Sequence, residues 1–493
     1  MPLQPTPRPG LVLRVFALLG WTLLAPLLPA CSPRSGEAAP DDPRLVVLIV
    51  LDTLGAGHVS HLGYDRLTTP RLDTLAADGV SFEQAIAPAS YTVASIPSLL
   101  TGRLPDRHGL TWYDRVLPES EETIAELYRE RGYSTFAAMS VINGSSRYGT
   151  GQGFDEVRSV WIGPGGPNAV SLVRQGQTVH LPGADEVAGI ARERIEKLGP
   201  NEKLFLYLHF LEPHGPYDSP LEYRQRFRDE RYPGPYVDGE CKELKERFRE
   251  EGAIHEIREG LCHIYDASIL WVDTNVGRVL DTLLEHDLYE NALVAVTADH
   301  GESLWEHGHL GHGRHLYEEY VRVPMVLKLP GPDRPRGLRV PAMVSLMDLL
   351  PSLCDWSGLR RPVNELDGRS LDPFLSAPDG PSLHESLLLR GQEDVGVFAV
   401  RFPGRKVVAV LGEDGGDGRP VEATELYDLI SDEKELRDRA ARDAAEARRG
   451  VKLIVEQLEA LGTATASPSG EIGEAERAML DALGYVESGE EDE

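Results

Sequence analysis

The chain has 493 residues, of which 41% are hydrophobic and 26% are charged, a balance typical of folded globular proteins. Its formal net charge of −29 argues against a nucleic-acid partner, because contacts to a phosphate backbone need clustered Lys and Arg. An anionic substrate must therefore be bound by a local device, such as a metal ion or the N-terminus of a helix.

The first 30 residues have the layout of an export signal. Basic residues precede an apolar run at 15–28, which is too short for a comfortable transmembrane helix. The run ends in Leu28–Cys31, which is similar to the processing site of bacterial lipoproteins. We therefore expect residues 1–30 to be a lipoprotein signal peptide and Cys31 to carry a lipid. Plain secretion and a retained anchor are the alternatives.

This signal predicts an exported protein, attached by its lipid to the membrane of the bacterial cell envelope. Ser32 after the cysteine favours the outer membrane and a periplasmic location, and residues 31–43 form a polar tether. The other three cysteines do not make a disulfide framework. Cys241 and Cys262 either form a pair or, like Cys354, stay unpaired.

Three continuous apolar runs predict buried strands of a parallel sheet. They are Leu45–Leu51, Leu204–Phe210 and Leu293–Val296, and strands that are buried on both faces typically read as uninterrupted runs. Amphipathic helical patterns separate them, for example at Thr123–Arg131 and Ile269–Leu284. The alternation predicts an α/β fold with a large, mostly parallel sheet flanked by helices.

The rest of the chain predicts a smaller second unit. Residues 44–375 hold the parallel-sheet pattern, with a charged helical excursion at 219–262 on the rim of the site. Residues 376–461 predict a small antiparallel sheet with a packing helix, and residues 462–493 a linker, a short helix and an acidic tail. The predicted elements are strands at Leu387–Leu389, Val395–Arg401 and Lys406–Val410, and helices at Glu433–Leu461 and Ala475–Tyr485.

Each of the three long predicted strands ends in residue types that bind metals. Asp52 follows the first strand, Glu212 and His214 follow the second, and Asp299-His300 follows the third. Ligands of parallel sheets lie beyond the carboxyl ends of the strands, so these ends predict a site for a divalent cation. The competing interpretations are a helix N-cap for Asp52 and an ordinary loop histidine for His214.

A histidine-rich stretch follows the third strand. The tetrapeptide Asp299–Glu302 is a weak motif alone, but four further histidines lie within sixteen residues of His300. This density favours metal or anion binding, and a solvated polar loop is the alternative. The four are His307, His309, His312 and His315.

The segment Thr92–Arg103 resembles the signature of the sulfatase family. The family has a nucleophile, two residues, a serine and five residues before Thr-Gly-Arg, and here Thr92, Ser95 and Thr101–Arg103 stand at these positions. The resemblance runs in the expected order from about residue 44 to about residue 440. Further matches are Val46–Asp52, Gly63-Tyr64, Thr69-Pro70, Leu75-Ala76, Gly79–Phe82, Thr297–Glu302, Tyr317–Glu319, Val323-Pro324 and Glu425–Leu429.

The resemblance implies an alkaline-phosphatase-like fold, with a sulfatase-like catalytic domain at 44–375 and a C-terminal subdomain at 376–461. It also implies a divalent metal site (Ca, Zn or Mn, as one or two ions) and a nucleophile, Thr92, that attacks phosphorus or sulfur. The metal ligands implied are Asp52, Asp299, His300 and the oxygen of Thr92.

Supporting roles follow from the same resemblance. His214 and His312 are implied as catalytic residues, which either complete a second metal site or bind the anion and protonate the leaving group. Arg103 and His108 are implied as substrate-binding candidates. The alternative for Thr92 is a helix-capping residue in an inactive site.

Departures from the family pattern alter the expected chemistry. Sulfatases carry Cys or Ser in place of Thr92 and convert it to formylglycine, which Thr cannot form because its Cβ carries a methyl group. Ile96 replaces the signature arginine, Thr53 replaces the second aspartate of a pair, and a lysine and a histidine are missing near 139–143. Pro97 is expected only in the first turn of a helix. A threonine nucleophile is similar to that of phosphodiesterases and phosphoethanolamine transferases, where metal activates the hydroxyl.

Three functions stay open on the sequence. The first is a metal-dependent hydrolase or transferase that cleaves a phosphate ester through Thr92. The second is a genuine sulfatase that works on a sulfate ester through the same residue. The third is a non-catalytic lipoprotein that binds anionic glycans. For the two enzymes, the substrate is a small, glycan-linked or lipid-linked anionic ester.

Overall fold

The computed structural model describes residues 42–141, 146–160, 170–174, 177–181, 183–217, 219–227, 255–392, 396–412, 420–461 and 467–468. The predicted signal peptide, most of the tether, the tail and its short helix lie outside these ranges. Among the described residues, no helix combines the length and hydrophobicity that crossing a bilayer requires. The thiols of Cys262 and Cys354 are free, and Cys241 lies outside the described residues.

Eighteen strands form within the described residues, and eight of them make the main sheet in the order β13-β2-β12-β9-β1-β8-β4-β5. The strands are β1 (Leu45–Leu51), β2 (Val80–Ile86), β3 (Arg115–Val116), β4 (Ser134–Met139), β5 (Glu156–Ser159), β6 (Val170–Arg174), β7 (Gln177–Leu181), β8 (Leu204–Phe210), β9 (Ala292–Thr297), β10 (Ser303–Leu304), β11 (Leu310–Gly311), β12 (Arg322–Lys328), β13 (Leu338–Ser345), β14 (Leu387–Arg390), β15 (Val397–Phe402), β16 (Arg405–Leu411), β17 (Val421–Asp428) and β18 (Ser467–Pro468).

The main sheet is mostly parallel, as the sequence predicts. Only β12 runs against its neighbours, β2 and β9. The central strand β1 pairs in parallel with β8 on one side and β9 on the other, and Val50 lies opposite both His209 and Thr297. The three predicted strands are therefore adjacent, and their carboxyl ends lie side by side. Every residue of β1 is buried, which explains its uninterrupted apolar run.

Helices flank this sheet, and α7 packs against α1 and α5. Helix α4 begins after Thr123 with a capping box, in which Thr123 and Glu126 bond reciprocally. The α-helices are α1 (Pro70–Ala77), α2 (Thr92–Thr101), α3 (Pro105–His108), α4 (Ile124–Glu130), α5 (Ala184–Glu196), α6 (Leu221–Arg224), α7 (His255–Glu285), α8 (Glu318–Val321), α9 (Leu349–Trp356), α10 (Asp372–Ser376) and α11 (Ala444–Leu461). Short 3-10 helices are Ala56–His58, Ser60–Leu62, Ser146–Tyr148, Gln225–Phe227, Tyr289–Asn291 and Leu346–Asp348.

The second sheet is antiparallel, in the order β14-β15-β16-β17, and α11 packs on it. The predicted helix start at Glu433 is wrong, because α11 begins at Ala444. Glu435 has a left-handed backbone, with φ of 52°, which a helix does not accommodate. In addition, the amide of Arg439 donates to the carbonyl of Leu426 in β17, at 2.8 Å.

Two further expectations need correction. The charged stretch 219–262 is not wholly a solvated excursion, because its last residues start α7 and bury Ile257 and Leu261 in the core; residues 228–254 lie outside the described ranges. Pro97 is the sixth residue of α2 rather than part of its first turn. Pro97 lacks the N–H that would bond the carbonyl of Val93, yet the helix continues to Thr101, whose hydroxyl donates to the Pro97 carbonyl at 2.7 Å.

A prediction on stability follows from the close approach of β2 and β12. A Cβ at Gly79 would lie 2.2 Å from the carbonyl oxygen of Leu327, which pairing on both sides of β12 holds in place. We expect Gly79→Ala to lower the free energy of unfolding by about 1–3 kcal/mol, measured by chemical denaturation. In the control Gly57→Ala, the new methyl group meets nothing within 4 Å; an equal loss there would contradict this account.

Candidate active site

The carboxyl ends of β1 and β9 bring two buried carboxylates together. Asp52 follows β1, and its amide donates to the carbonyl of Phe210 at 3.0 Å, which ties it to the end of β8. Asp299 lies two residues after β9, and its Oδ1 accepts the amide of His300 at 2.9 Å. Both oxygens of Asp52 and Oδ2 of Asp299 are buried without a hydrogen-bond donor among the described residues.

His300 points an unprotonated nitrogen toward these carboxylates. Its Nδ1 lies 2.9 Å from the carbonyl of Gly301, so Nδ1 carries the proton and donates, which leaves the lone pair on Nε2. Nε2 lies 3.4 Å from Oδ2 of Asp299 and 3.9 Å from Oδ1 of Asp52. This arrangement is the usual one for a metal-binding imidazole.

His209 is a fourth member of the cluster, and the sequence analysis missed it. It is the penultimate residue of β8, fully buried, with Nε2 at 4.0 Å from Oδ2 of Asp52. One ligand atom from each of Asp52, His209 and Asp299 lies within 4.8 Å of the others. The signal was present in the sequence: a lone histidine interrupts the apolar run Leu204–Phe210, one residue before the strand ends.

Burial sets the protonation of the cluster. It raises the pKa of Asp52 well above its ordinary value, and the charge of Asp299 adds to this rise. Burial likewise raises the pKa of Asp299 to about 7, against smaller opposing effects of the hydrogen bond from the His300 amide and of the neighbouring Thr92 hydroxyl. Burial lowers the pKa of His209 to about 3 and that of His300 well below its usual range.

Asp52, His209 and Asp299 could hold a divalent cation, and Nε2 of His300 lies beside the two carboxylates. Two carboxylates and two neutral imidazoles match the donor preferences of Zn and Mn. Three carboxylate oxygens and the Nε2 of His209 are buried and without a hydrogen-bond partner in the described parts of the chain. Buried polar atoms in proteins are almost always satisfied, so this convergence has the character of a ligand cage.

Thr92 lies against the cage at the start of α2. It is fully buried, and its Oγ1 lies 3.2 Å from Nε2 of His300. As the first residue of a helix it stands where unpaired N–H groups and the helix dipole favour negative charge. The hydroxyl of Ser95, one turn on, donates to the carbonyl of Asp299 at 2.6 Å. The signature serine therefore joins the start of α2 to the loop that carries Asp299 and His300.

His214 and His312 form a polar wall beside the cage. The ring centroid of His312 lies 4.7 Å from that of His300 and 4.9 Å from that of His214. Glu302 connects His312 to Thr53. Its Oε1 lies 3.0 Å from Nδ1 of His312, and its Oε2 accepts the Thr53 hydroxyl at 2.9 Å. Thr53, which replaces a family aspartate, thus supports the carboxylate that orients His312.

The two substrate-binding candidates lie in a different set of contacts. Arg103 forms an ion pair with Glu121. His108 is buried, accepts the amide of Leu110 at Nδ1 (3.2 Å) and lies 3.0 Å from the Ser98 hydroxyl at Nε2. Burial and the charge of Arg103 lower the pKa of His108 to about 3. Their described contacts are therefore with the protein itself, and a substrate-binding role stays a prediction.

The sheet, the carboxylates and histidines at its edge and the helix N-terminus that carries a hydroxyl are features of the alkaline-phosphatase-like fold. The chain belongs to the sulfatase family: the sequence model of that family, described as Sulfatase, matches residues 44–359, more than half of the chain. Members of this family bind a divalent metal.

Curated relatives are sulfatases. The chain is 26% identical over 407 residues to an ulvan-active sulfatase from Formosa agariphila, covering 80% of this chain and 76% of that protein. It is 29% identical over 464 residues to the steryl-sulfatase of Mus musculus, covering 78% of this chain and 72% of that one.

Several solved structures share the fold. A protein solved with its substrate D-glucosamine-2-N,6-O-disulfate superimposes with a TM-score of 0.69 at 18% identity, over 85% of this chain and 98% of that one. The phosphonate monoester hydrolase of Agrobacterium radiobacter gives 0.64 at 22% identity, over 85% and 95%. At these identities the likeness shows the fold and leaves the ester open.

Because Asp299 is buried, we expect the stability of Asp299→Asn relative to wild type to depend on pH. In the folded chain burial raises the pKa of Asp299 to about 7 from its ordinary value of 3.8, so the folded state holds the extra proton between these values and loses stability as pH rises through that window. Measured in EDTA by urea denaturation, we expect Asp299→Asn to be more stable than wild type at pH 8 by a few kcal/mol, and to lose this gain toward pH 4.

Saturating divalent metal provides the control for this experiment. The order should reverse at pH 8, because an amide cannot supply the charge that the cation needs. An Asp299→Asn variant that is less stable than wild type at pH 8 in EDTA would show that the carboxylate is already compensated by the protein.

Proposed function

We propose that this protein is a metal-dependent hydrolase that cleaves an anionic ester through Thr92. The observation that carries the proposal is the convergence of unpaired, buried carboxylate and imidazole atoms around one hydroxyl at a helix N-terminus. We assign Asp52, His209, Asp299 and His300 as protein ligands of the cation, together with the oxygen of Thr92.

The residues present suit an in-line displacement. A hydroxyl is a weak nucleophile near neutral pH, and a bound divalent cation would lower its pKa and offset the negative charge of the ester. Oγ1 of Thr92 would form a bond to phosphorus or sulfur while the bond to the leaving-group oxygen breaks, and the hydroxyl proton would pass to water. The first amides of α2 would face the equatorial oxygens of the ester, where negative charge accumulates.

His312 is the proposed general acid. It stands over His300 and is held at Nδ1 by Glu302, a carboxylate–imidazole pair of the kind that fixes both the orientation and the tautomer of a catalytic histidine. Its Nε2 then gives a proton to the departing oxygen. His214 lies against it and either helps to bind the anion or joins a second cation. Water, or an acceptor alcohol in a transferase, then takes the group from Thr92.

The chemistry available to Thr92 bears on which ester is cleaved. Thr92 cannot become formylglycine, so the hydrated-aldehyde chemistry of ordinary sulfatases is closed to this chain. A threonine oxygen can instead be phosphorylated directly, and the fold is shared with a phosphonate monoester hydrolase. We therefore propose a phosphate or phosphonate ester first. A sulfate ester is the second candidate, favoured by the sulfatase relatives, including one named as ulvan-active.

The export and lipid anchoring inferred from the first 31 residues stay proposals. A substrate outside the cytoplasm, small or carried on a glycan or lipid, is consistent with them. Structures of the same fold hold sulfated saccharides, among them D-glucosamine-2-N,6-O-disulfate and a neocarrahexaose.

Removal of the Thr92 hydroxyl tests the nucleophile. We expect Thr92→Ala to lower kcat by at least about 10³-fold, while elemental analysis still finds bound metal, because the other four ligands remain. Thr101→Ala is a matched control, since Thr101 is a buried threonine of the same helix whose hydroxyl bonds only within it. Activity that is indifferent to Thr92, or lost equally in both variants, would exclude the nucleophile.

A substrate panel chooses between the esters. Residues 32–493, purified with their metal, would be assayed on 4-nitrophenyl phosphate, bis(4-nitrophenyl) phosphate, phenylphosphonate ester and 4-nitrophenyl sulfate. We expect the phosphate or phosphonate substrates to have the highest kcat/KM, with Thr92-dependent turnover. Preference for the sulfate would select the second candidate. Stoichiometric metal without turnover of any ester, or no metal at all, would favour a non-catalytic anionic-glycan-binding protein.

A further inference from the structure

The short helix α8 (Glu318–Val321) supports the loop that carries the metal ligands. The amide of Gly301, next to His300, donates to the carbonyl of Tyr320 at 2.7 Å. The approach is so close that a Cβ at Gly301 would lie 2.1 Å from the carbonyl oxygen of Glu319. The position of Asp299 and His300 is therefore set by the backbone of α8.

The second sheet holds α8 from the opposite side through a buried ionic cluster. The carboxylate of Glu318 lies 3.1 Å from Nζ of Lys406 in β16 and, through its other oxygen, 3.1 Å from Nη2 of Arg401 in β15. Lys406 also lies 2.7 Å from Oε1 of Glu435. Oε2 of Glu435 accepts the amide of Glu318 at 2.6 Å, at the first residue of α8.

Burying this ionic cluster costs free energy. Lys406 is 0% exposed and Glu435 is 2% exposed, and the desolvation of buried charges commonly exceeds the attraction between them. Glu435 also has a left-handed backbone, with φ of 52°, which costs energy in any residue with a side chain. Apolar packing would join the sheets at lower cost, so stability alone does not explain the cluster.

A second connection runs parallel to the first. Nδ1 of His307 lies 2.7 Å from the carboxylate of Glu319, and its Nε2 lies 3.2 Å from the carbonyl of Glu435. The ring of His307 stacks on Tyr317 with centroids 3.8 Å apart. Residues before and within α8 thus contact the strained residue Glu435.

We infer that Lys406 and Glu435 are positioning residues for the metal site, acting through α8 on Gly301 and so on Asp299 and His300. The C-terminal sheet is then part of the machinery that shapes the cage, although none of its residues is a ligand. The inference rests on the proposed function, because it assigns the metal to the cage described above.

Lys406→Met tests the inference, with Lys328→Met as its matched control. Lys328 is also 0% exposed, and its ammonium group donates to the carbonyls of Tyr289, Glu290 and Ala292 at the amino-terminal edge of the main sheet, away from the cage. Zn²⁺, Mn²⁺ and Ca²⁺ would each be titrated alone into EDTA-treated, dialysed protein by calorimetry. Hydrogen exchange of the Gly301 amide would be followed in the metal-free protein.

We expect Lys406→Met to weaken the tightest-binding ion by about tenfold and to speed exchange at Gly301. Lys328→Met should lower the melting temperature comparably while leaving both readouts at the wild-type value, and Lys406→Arg should restore binding. Glu435→Gln, which keeps an acceptor for the Glu318 amide, gives the same test if Lys406→Met does not fold.

Wild-type affinity and exchange in Lys406→Met, or equal changes in Lys328→Met, would overturn the inference. The proposed function fails by a different result, in which the wild-type protein binds none of the three ions. In that case the exchange rate at Gly301 still decides whether Lys406 positions the loop.

Discussion

The structure depends on keeping two carboxyl groups out of water at the carboxyl edge of its central sheet. Asp52 and Asp299 follow neighbouring strands and are fully buried, and an isolated buried carboxylate costs several kcal/mol. The fold offsets part of that cost with the His300 amide and the N-terminus of α2. Three of the four carboxylate oxygens remain unsatisfied by the described residues, and the bound cation of the proposed function would supply the remaining compensation.

The elements around this cage are arranged to hold it in place. Ser95 joins α2 to the carbonyl of Asp299, and Gly301 joins the same loop to α8. The loop is therefore fixed from two directions by hydrogen bonds to its backbone, which leaves its side chains free to face the centre. Positioning of this kind allows a metal site to keep its geometry without help from a solvent-exposed shell.

The strands that build the site could be predicted because they are buried on both faces. Leu45–Leu51 and Leu204–Phe210 were predicted with the bounds that the structure has, and their polar ends pointed to the site. His209 was not predicted as a site residue because it lies within such an apolar run, where a histidine is easily taken for a core residue. The position of His209 beside Asp52 depends on the strand register that sets it opposite Val50. Register is decided by how two strands pair, and the sequence of one strand alone does not reveal it.

Tertiary contacts also explain the elements that local pattern described wrongly. Residues 433–443 have helical composition, yet α11 begins only at Ala444. The carboxylate of Glu435 pairs with the buried Lys406, and Glu435 has a left-handed backbone that interrupts the helix. Pro97 is accommodated inside α2, which the Ser95 hydroxyl joins to the carbonyl of Asp299. In both cases a contact distant in sequence outweighs the local preference.

The departures from the sulfatase pattern form a consistent set. An aspartate in place of Thr53 would bring a second negative charge to within hydrogen-bonding distance of Glu302, where the Thr53 hydroxyl now donates at 2.9 Å. With threonine there, Glu302 is free of that repulsion and binds Nδ1 of His312. Two buried carboxyls destabilise the unliganded fold, and neutral side chains in their place would stabilise it. A site that had lost its function would therefore not be expected to keep both. The coupled presence of Thr92, Thr53 and Glu302 around an intact cage therefore argues for an adapted catalytic centre.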